Sequence, residues 1–350
     1  MPKVIDFREL ELRAGIHFMG QQPMAMDSAY AYDYKLAMDA QPGLVTVGNS
    51  GIPAFLTTYI DPKVIEVLVS PIRSAEAVGS EVKKGDWITE TAMFPVVEST
   101  GQTAAYGDYN NAGSTGVNTN FPQRQSFHYQ TISQWGEKEL ERAGAAKIDW
   151  ASRVNIASVL TLNKFQNKSY LFGVAGLQNY GMTNDPALSA PLTPSTKAAG
   201  GVKWVGAGGV PNATALEVLA DIQAMYWNLQ SRLKGNVDLG SRMTLIMSPT
   251  SEVALTFTNE FNVNVADLLK KNYPGITVKT VPEYATASGE LVQLVVDEIE
   301  GQRTWDCCFT EKMRAHPVQV KLSSFEQKKS QGTWGTVIYR PMAIEAMLGV

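Results

Sequence analysis

Residues 99–120 constrain this chain more than any other stretch. Fifteen of these twenty-two residues are Ser, Thr, Gly, Asn or Gln, and Asp108 is the only charge. On one side lies a strand-like run (Trp87, Ile88, Met93, Phe94, Val96, Val97) interrupted by Pro95. On the other, Phe121 to Ile132 alternates, with Phe127 and Tyr129 on one face and His128 on the other. Two strand-like arms around a polar middle predict a long hairpin over residues 85–130. Arms of about sixteen residues at about 3.3 Å each would reach roughly 50 Å. A ribbon of two strands is marginal in water, so it needs a surface to lie on. Trp87, Phe94, Tyr106, Tyr109 and Phe121 are the candidates for that contact. The competing reading is that they pack within their own subunit.

The rest of the chain can bury a core. It has 350 residues, 44% of them hydrophobic, enough for one elaborate domain or two to three smaller ones. Thirty basic and thirty-four acidic residues give a net charge of -4, which argues against a protein whose main task is gripping nucleic acid. No apolar run approaches the length of a membrane-spanning helix. Lys3, Asp6, Arg8, Glu9 and Glu11, with no apolar block after them, do not read as a signal peptide. Cys307 and Cys308 are adjacent, and neighbours in a strand face opposite ways, so a bond between them would be strained. The expectation is a reduced protein with one buried and one outward thiol.

Residues 1–50 hold five methionines and Tyr30, Tyr32 and Tyr34 at a spacing of two. They read as an arm lying along another surface, closed by the breakers around Pro42-Gly43 and Gly48 to Pro53. Ile60 to Val78 is strongly apolar, with a helix starting at Asp61-Pro62 and ending at Pro71. From Ser133 as N-cap to about Phe172 the spacing of Leu140, Ala143, the Lys147 stem, Trp150, Val154, Ala157 and Leu160 predicts one long helix of roughly 60 Å. Gly173 to Gly181 turns the chain, and residues 181–213 form a linker. Thr214-Ala-Leu-Glu217 is a capping box that opens an amphipathic helix running to Gly235. Beyond it come a strand at Met243–Met247, helices at Ser248-Pro249 and Asn264–Tyr273, and strands at Ile276–Val281, Leu291–Val296 and Thr304–Phe309. Residues 210–318 therefore read as an α/β lobe. Two final strands, Val318–Phe325 and Thr336–Tyr339, flank a polar turn at Gln327–Gly332.

The residues offer no positive case for catalysis, a cofactor or a metal. His17, His128 and His316 lie in separate segments, and no His or Cys pair has zinc spacing. Gly48-Asn-Ser50-Gly51 and Gly113-Ser114-Thr-Gly116 both miss the nucleophile-elbow pattern. Gly206-Ala-Gly208-Gly209 lacks the third glycine of a dinucleotide fingerprint, since Pro211 stands there. Asp297-Glu298 and Glu137 with Glu141 read as solvated faces.

The order of parts (arm, apolar block, Lys84–Phe121 hairpin, Trp135–Phe172 helix with its Gly176-Leu-Gln-Asn179 exit, α/β lobe, and the Tyr339-Arg-Pro-Met-Ala terminus) resembles the Hong Kong 97-like major capsid proteins of tailed double-stranded DNA phages. Within that group it is similar to a major capsid family first described as a domain of unknown function. The resemblance implies an α+β capsid fold with an N-terminal arm (1–50), an extension-loop hairpin (85–130), a spine helix (131–200) and an axial domain (201–318). The peripheral domain would combine 51–84, 131–200 and 319–350. Gly235–Ser241 is a guess for an axial loop. It implies hexamers and pentamers in an icosahedral shell within the virion, assembled in the host cytoplasm. Implied partners are other copies of the chain, a scaffold, a portal and a cement protein, with non-specific contact to packaged DNA and no membrane. Inter-subunit contacts would fall on Tyr30, Tyr32, Tyr34, Trp87, Phe94, Tyr106, Tyr109 and Phe121. Some relatives weld their shells through a lysine in the hairpin. No lysine occurs here between Lys84 and Lys138, so a non-crosslinked shell is expected. Others carry a fused scaffolding segment; its absence here implies a separate scaffold or prior cleavage. Alternatives are an encapsulin-like compartment, a tail or baseplate protein, and a hydrolase or thiol enzyme using Cys307 or Cys308 with His316.

Overall fold

A fifteen-residue strand, Ser324–Ile338, holds the first of two main sheets together. The computed structural model describes residues 72–146 and 148–350. The arm with Tyr30, Tyr32 and Tyr34, His17, the helix expected from Asp61-Pro62, and residues 60–71 of the apolar block lie outside the described residues. In chain order the helices are α1 (Ser74–Val78), α2 (Glu137–Ala145), α3 (Trp150–Phe172), α4 (Ala215–Leu233), α5 (Pro249–Glu252) and α6 (Val265–Asn272). The strands are β1 (Glu81–Lys83), β2 (Thr91–Met93), β3 (Val96–Gln102), β4 (Ser114–Asn120), β5 (Gln123–Gln125), β6 (Phe127–Gly136), β7 (Met243–Met247), β8 (Ile276–Thr280), β9 (Ala285–Thr286), β10 (Gly289–Val296), β11 (Glu298–Ile299), β12 (Gln302–Arg303), β13 (Trp305–Ala315), β14 (Gln319–Val320), β15 (Ser324–Ile338) and β16 (Ile344–Leu348).

In the first sheet β15 pairs antiparallel with β6, β13 and β14, and β1 adds parallel to β13. The expected turn at Gln327–Gly332 is therefore corrected: these residues pair across to His128–Ser133 in mid-strand. Their polarity suggested a solvated turn, but Lys329 and Gln331 point into a polar layer beneath α3. Lys329 is buried; its Nζ donates to Asn155 Oδ1 at 3.0 Å and to Ser158 Oγ at 2.7 Å.

The single helix expected from Ser133 to Phe172 is also corrected. Ser133 to Gly136 belongs to β6, because each lies in antiparallel register opposite a residue of β15. Gly136 then caps α2, its N–H donating to Glu139 Oε2 at 3.2 Å. Asp149 caps α3 afresh by accepting from the Ser152 N–H at 3.2 Å. The 23 residues of α3 span about 35 Å. Its buried side is not the expected Trp150, Val154, Ala157, Leu160 row. It comprises Ser158, Leu162, Gln166, Asn167, Ser169, Tyr170 and Leu171, facing the polar layer of β15.

The second sheet runs β16-β10-β7-β8, with β7 and β8 parallel and the rest antiparallel. The capping box at Thr214 is present as expected, with the Thr214 N–H donating to Glu217 Oε2 at 2.7 Å. α4 packs Val218, Leu219, Ile222, Met225 and Leu229 against Leu245, Val292, Leu294 and Met347. Strand pairing crosses the expected 318/319 boundary in both directions. β13 joins the first sheet, while β16 pairs with β10 in the second. Short apolar strands fit either sheet by composition; only their partners decide.

Both cysteines are buried, correcting the expected outward thiol. They do point to opposite faces of β13, but each face is covered: Cys307 packs with Tyr170 and Trp305, Cys308 with Trp334 and Val337. Gly335 cannot be replaced there without strain. Its φ is +71°, and a Cβ would sit 2.2 Å from the Tyr180 carbonyl oxygen.

One buried ion pair tethers the linker to α4. Lys197 Nζ meets Asp221 Oδ2, which also accepts from Trp204 Nε1 at 2.7 Å, while Asp221 Oδ1 accepts from Ser195 Oγ at 2.6 Å. Asp221→Ala strands the buried lysine, so we expect a loss of about 3–5 kcal/mol, read from the urea midpoint. The double replacement Lys197→Met with Asp221→Leu should cost distinctly less. Equal losses would show that charge burial is not what matters here.

Candidate inter-subunit surface

The ribbon is real, and among the described residues its two outer strands pair only with each other. β3 and β4 form a two-stranded sheet with the register Val96↔Asn120 through Gln102↔Ser114, and all their residues are exposed. Residues opposite one another share a face. One face carries Val97, Thr119, Ser99, Val117 and Thr115; the other carries Val96, Asn120, Glu98, Asn118, Thr100, Gln102 and Ser114. Val97 and Val117 are 60% and 61% exposed, although β-branched side chains stabilise a ribbon only when something packs on them. Beyond the strands Tyr106 and Tyr109 are 95% and 99% exposed. Each strand also leaves one row of backbone groups unpaired within its two-stranded sheet, an open template for association.

The base, by contrast, is clamped. β2 pairs with β5. The Phe94 N–H donates to the Pro122 carbonyl at 3.0 Å, the Ser126 N–H to the Glu90 carbonyl at 2.9 Å, and the Gln125 N–H to the Gln178 carbonyl at 2.9 Å. Arg124 holds Asp185 at 2.6 Å and lies over the Tyr180 ring at 4.7 Å. Lys84 sits over the rings of Phe94 and Tyr339 at 4.8 and 4.7 Å, and its carbonyl accepts from Trp334 Nε1 at 2.9 Å. The ribbon is thus a lever fixed at one end by the exit turn of α3 and by β15.

The candidate residues separate accordingly. Trp87 packs edge-on to His128 at 4.5 Å, and Arg314 lies over its ring at 5.6 Å. Phe94 packs on Tyr339 at 6.3 Å. These two serve the intrachain clamp, whereas Tyr106, Tyr109 and the 54% exposed Phe121 face outward. Tyr30, Tyr32 and Tyr34 lie outside the described residues. Missed at the sequence level were Val97 and Val117, whose alternation with Ser and Thr was visible, and Arg124, whose acceptor is 61 residues away and was not.

The chemistry of a thiol enzyme is absent from the described residues. Burial pushes the Cys307 thiol well above its ordinary range, and Cys308 is pushed up to about 12, chiefly by burial. Neither supplies a thiolate near neutral pH. The backbone N–H of His316 donates to the Lys328 carbonyl at 2.9 Å. Among the described residues no group of three or more His, Cys, Asp or Glu could hold a metal ion, and no helix is long and apolar enough to cross a membrane.

Comparison with known proteins places this geometry. Residues 43–349 match the family described as Pa193 gp26 major capsid protein. No curated protein matches the chain. Among solved structures, the capsid of Myoviridae phage XM1 is similar at TM-score 0.71 and 12% identity, covering 86% of this chain and 100% of that one. The capsid of a native GTA particle gives TM-score 0.55 and 10% identity over 88% of this chain and 100% of that one. A structure from Gordonia phage Cozz gives 0.53 and 8% over 94% and 98%. At such identities the likeness concerns the fold, which is the Hong Kong 97-like α+β fold.

His128 gives the clamp a pH dependence. Burial lowers its pKa below the usual histidine value, outweighing Glu311 and Glu90, which raise it; its Nε2 lies 3.1 Å from Thr310 Oγ1. The unfolded chain therefore takes up the proton first. The stabilisation is complete above about pH 6.5 and is lost as pH falls through the lower folded-state value. We expect the thermal midpoint to drop on acidification from about pH 7.5 to about pH 5, and to drop less in His128→Gln. Identical pH profiles for both proteins would remove His128 as the cause.

Proposed function

The chain belongs to the Pa193 gp26 major capsid protein family, and from that premise we propose how its parts build the shell. It is a structural subunit of a phage head, resident in the virion, and it assembles with copies of itself. In our reading, six or five copies form each capsomer of an icosahedral shell around double-stranded DNA. Each copy lays its ribbon across a neighbour, with the Val97–Val117 face inward and Tyr106, Tyr109 and Phe121 as anchors. The arm over residues 1–50, with Tyr30, Tyr32 and Tyr34, makes a second reach. The lobe around β6, β15 and β13 with α3 is the peripheral domain, and the lobe around β7, β8, β10 and β16 with α4 is the axial domain.

The observation that carries this reading is a ribbon clamped at its base and bare along both strands. Its exposed valines and tyrosines gain little among the described residues, and a neighbouring copy covers them. Obligate interfaces commonly bury roughly 2,000 Å² or more, so several such contacts per copy resist pressure from within. Each contact can stay weak by itself, which lets misplaced subunits leave before the shell closes. With no lysine in the ribbon, packing alone holds it. A separate scaffold, a portal and a cement protein complete the assembly in this reading.

Expression of the chain with its scaffold should give closed particles by electron microscopy. Val97→Ser with Val117→Ser, and separately Tyr106→Ser with Tyr109→Ser, should raise the concentration needed for assembly about tenfold or more. The subunit's own thermal midpoint should stay nearly unchanged, because these side chains are exposed and the Tyr106 hydroxyl donates only to the exposed Asp108 Oδ1 beside it, at 3.1 Å. Particles forming equally well from both variants would sink the ribbon as the joining element. Monodisperse monomer under all conditions would sink the shell.

A further inference from the structure

Among the described residues, the edges of the two main sheets are protected in ordinary ways, with one exception. β1 has three residues, two of them charged, and β14 has two residues. β8 has five and carries Lys279. β16 is closed by Leu192, whose N–H donates to the Ala346 carbonyl at 2.7 Å and whose carbonyl accepts from the Leu348 N–H at 3.0 Å. Short edges and edge charges are how sheets discourage pairing with another chain. β6 has neither. It runs ten residues, Phe127–Gly136, pairs with β15 alone, and contains no Asp, Glu, Lys, Arg or Pro. Its register against β15 is continuous from Phe127 to Gly136, with no bulge to bend the edge away. In an antiparallel pair alternate residues turn their N–H and C=O away from the partner, so about half of the β6 backbone groups face the open edge.

The side chains beside that edge suit an uncharged, partly apolar strand. Phe165 of α3 packs over β6, its ring 4.4 Å from that of Tyr129 and 5.8 Å from that of Phe127, yet it stays 37% exposed. On the opposite face of β6, Ile132 is exposed between the exposed Gln130 and Gln134. Among the described strands only β3 and β4 match this edge. Each has seven residues and one unpaired edge, Glu98 is their only charge, and Val97 and Val117 are exposed on one face. The ribbon of the same molecule cannot serve. It leaves the sheet where β6 begins, through β5 and Ser126, and the Gln125 and Ser126 N–H groups are pinned to the Gln178 and Glu90 carbonyls at 2.9 Å. Doubling back onto β6 within the single residue Ser126 would break both bonds.

We propose that the free edge of β6 in one copy takes up the ribbon of a second copy as an added strand pair, by backbone hydrogen bonds along the open row. The inference rests on the reading of the ribbon as the joining element and gives it an address. The valine face of the ribbon then continues the layer of Phe127, Tyr129 and Phe165, and its polar face continues Gln130 and Gln134. Main-chain pairing supplies affinity without charge, and the alternating side chains decide which face turns inward.

Two measurements test this. In hydrogen exchange read by mass spectrometry, about half of the amides of residues 127–136 should exchange readily in free subunits. They should slow about tenfold or more on assembly, together with residues 96–120. Slowing of the ribbon alone would overturn the address and leave the ribbon as the joining element; slowing of neither would remove both. Full protection of β6 in the free subunit would place its cover inside the molecule and defeat the inference as well. The second measurement identifies the occupant. Ile132→Cys is combined with Thr100→Cys or with Asn118→Cys, one on each ribbon strand; the natural thiols of Cys307 and Cys308 are buried. A short bis-maleimide applied to assembled particles should give a ladder of joined chains for at least one pair and none for any single replacement. No ladder from either pair, in particles that close normally, would assign the β6 edge to a different strand and sink the proposal.

Discussion

A ribbon whose two strands pair only with each other cannot cover its own side chains. That single geometric fact organises the molecule. Along β3 and β4 every residue is exposed, and the backbone rows at both edges are unpaired within the two-stranded sheet. Such an element costs conformational entropy to hold extended and receives little packing in return. Its base is built into the subunit, and in the proposed function its length is stabilised by neighbouring copies in the shell.

The clamp explains why the lever does not simply swing. Arg124 is fixed twice, by Asp185 and by the face of Tyr180, and Lys84 is caught between two rings while its carbonyl holds Trp334. These anchors come from the exit of α3 and from β15, elements far apart in sequence. Gly335 permits the approach: with a side chain there, β15 and the Tyr180 carbonyl could not lie together. Strain applied to the ribbon tip is thus delivered to the exit of α3 and to β15.

Between that helix and that strand lies a layer that is polar where a core is usually apolar. Lys329, Gln331, Ser158 and Gln166 are buried there, and Lys329 has its pKa lowered by that burial. A polar layer fixes orientation, since each donor must find its acceptor, whereas an oily one would let α3 slide or roll on the sheet. The same layer decides what α3 shows to the other side, because it dictates which way Asn155 and Asn163 turn their amides.

The sequence by itself determined the local, periodic features. The hairpin followed from two alternating runs around an uncharged middle. The helix opened by Thr214-Ala-Leu-Glu217 and the strands at Met243–Met247 and Leu291–Val296 followed from capping and apolar runs, all of which act within a few residues. The Hong Kong 97-like order of parts was legible for the same reason. Tertiary structure alone decided the rest. Whether Gln327–Gly332 turns or extends depended on β6 lying beside it; whether Ser133–Gly136 was helix or strand depended on β15. Trp87 and Phe94 look no different in sequence from Tyr106 and Tyr109, yet His128 and Tyr339 capture the first two, while the rings of the others stay exposed. Burial and pairing are properties of partners distant along the chain, and composition at one position carries no record of which partner will arrive.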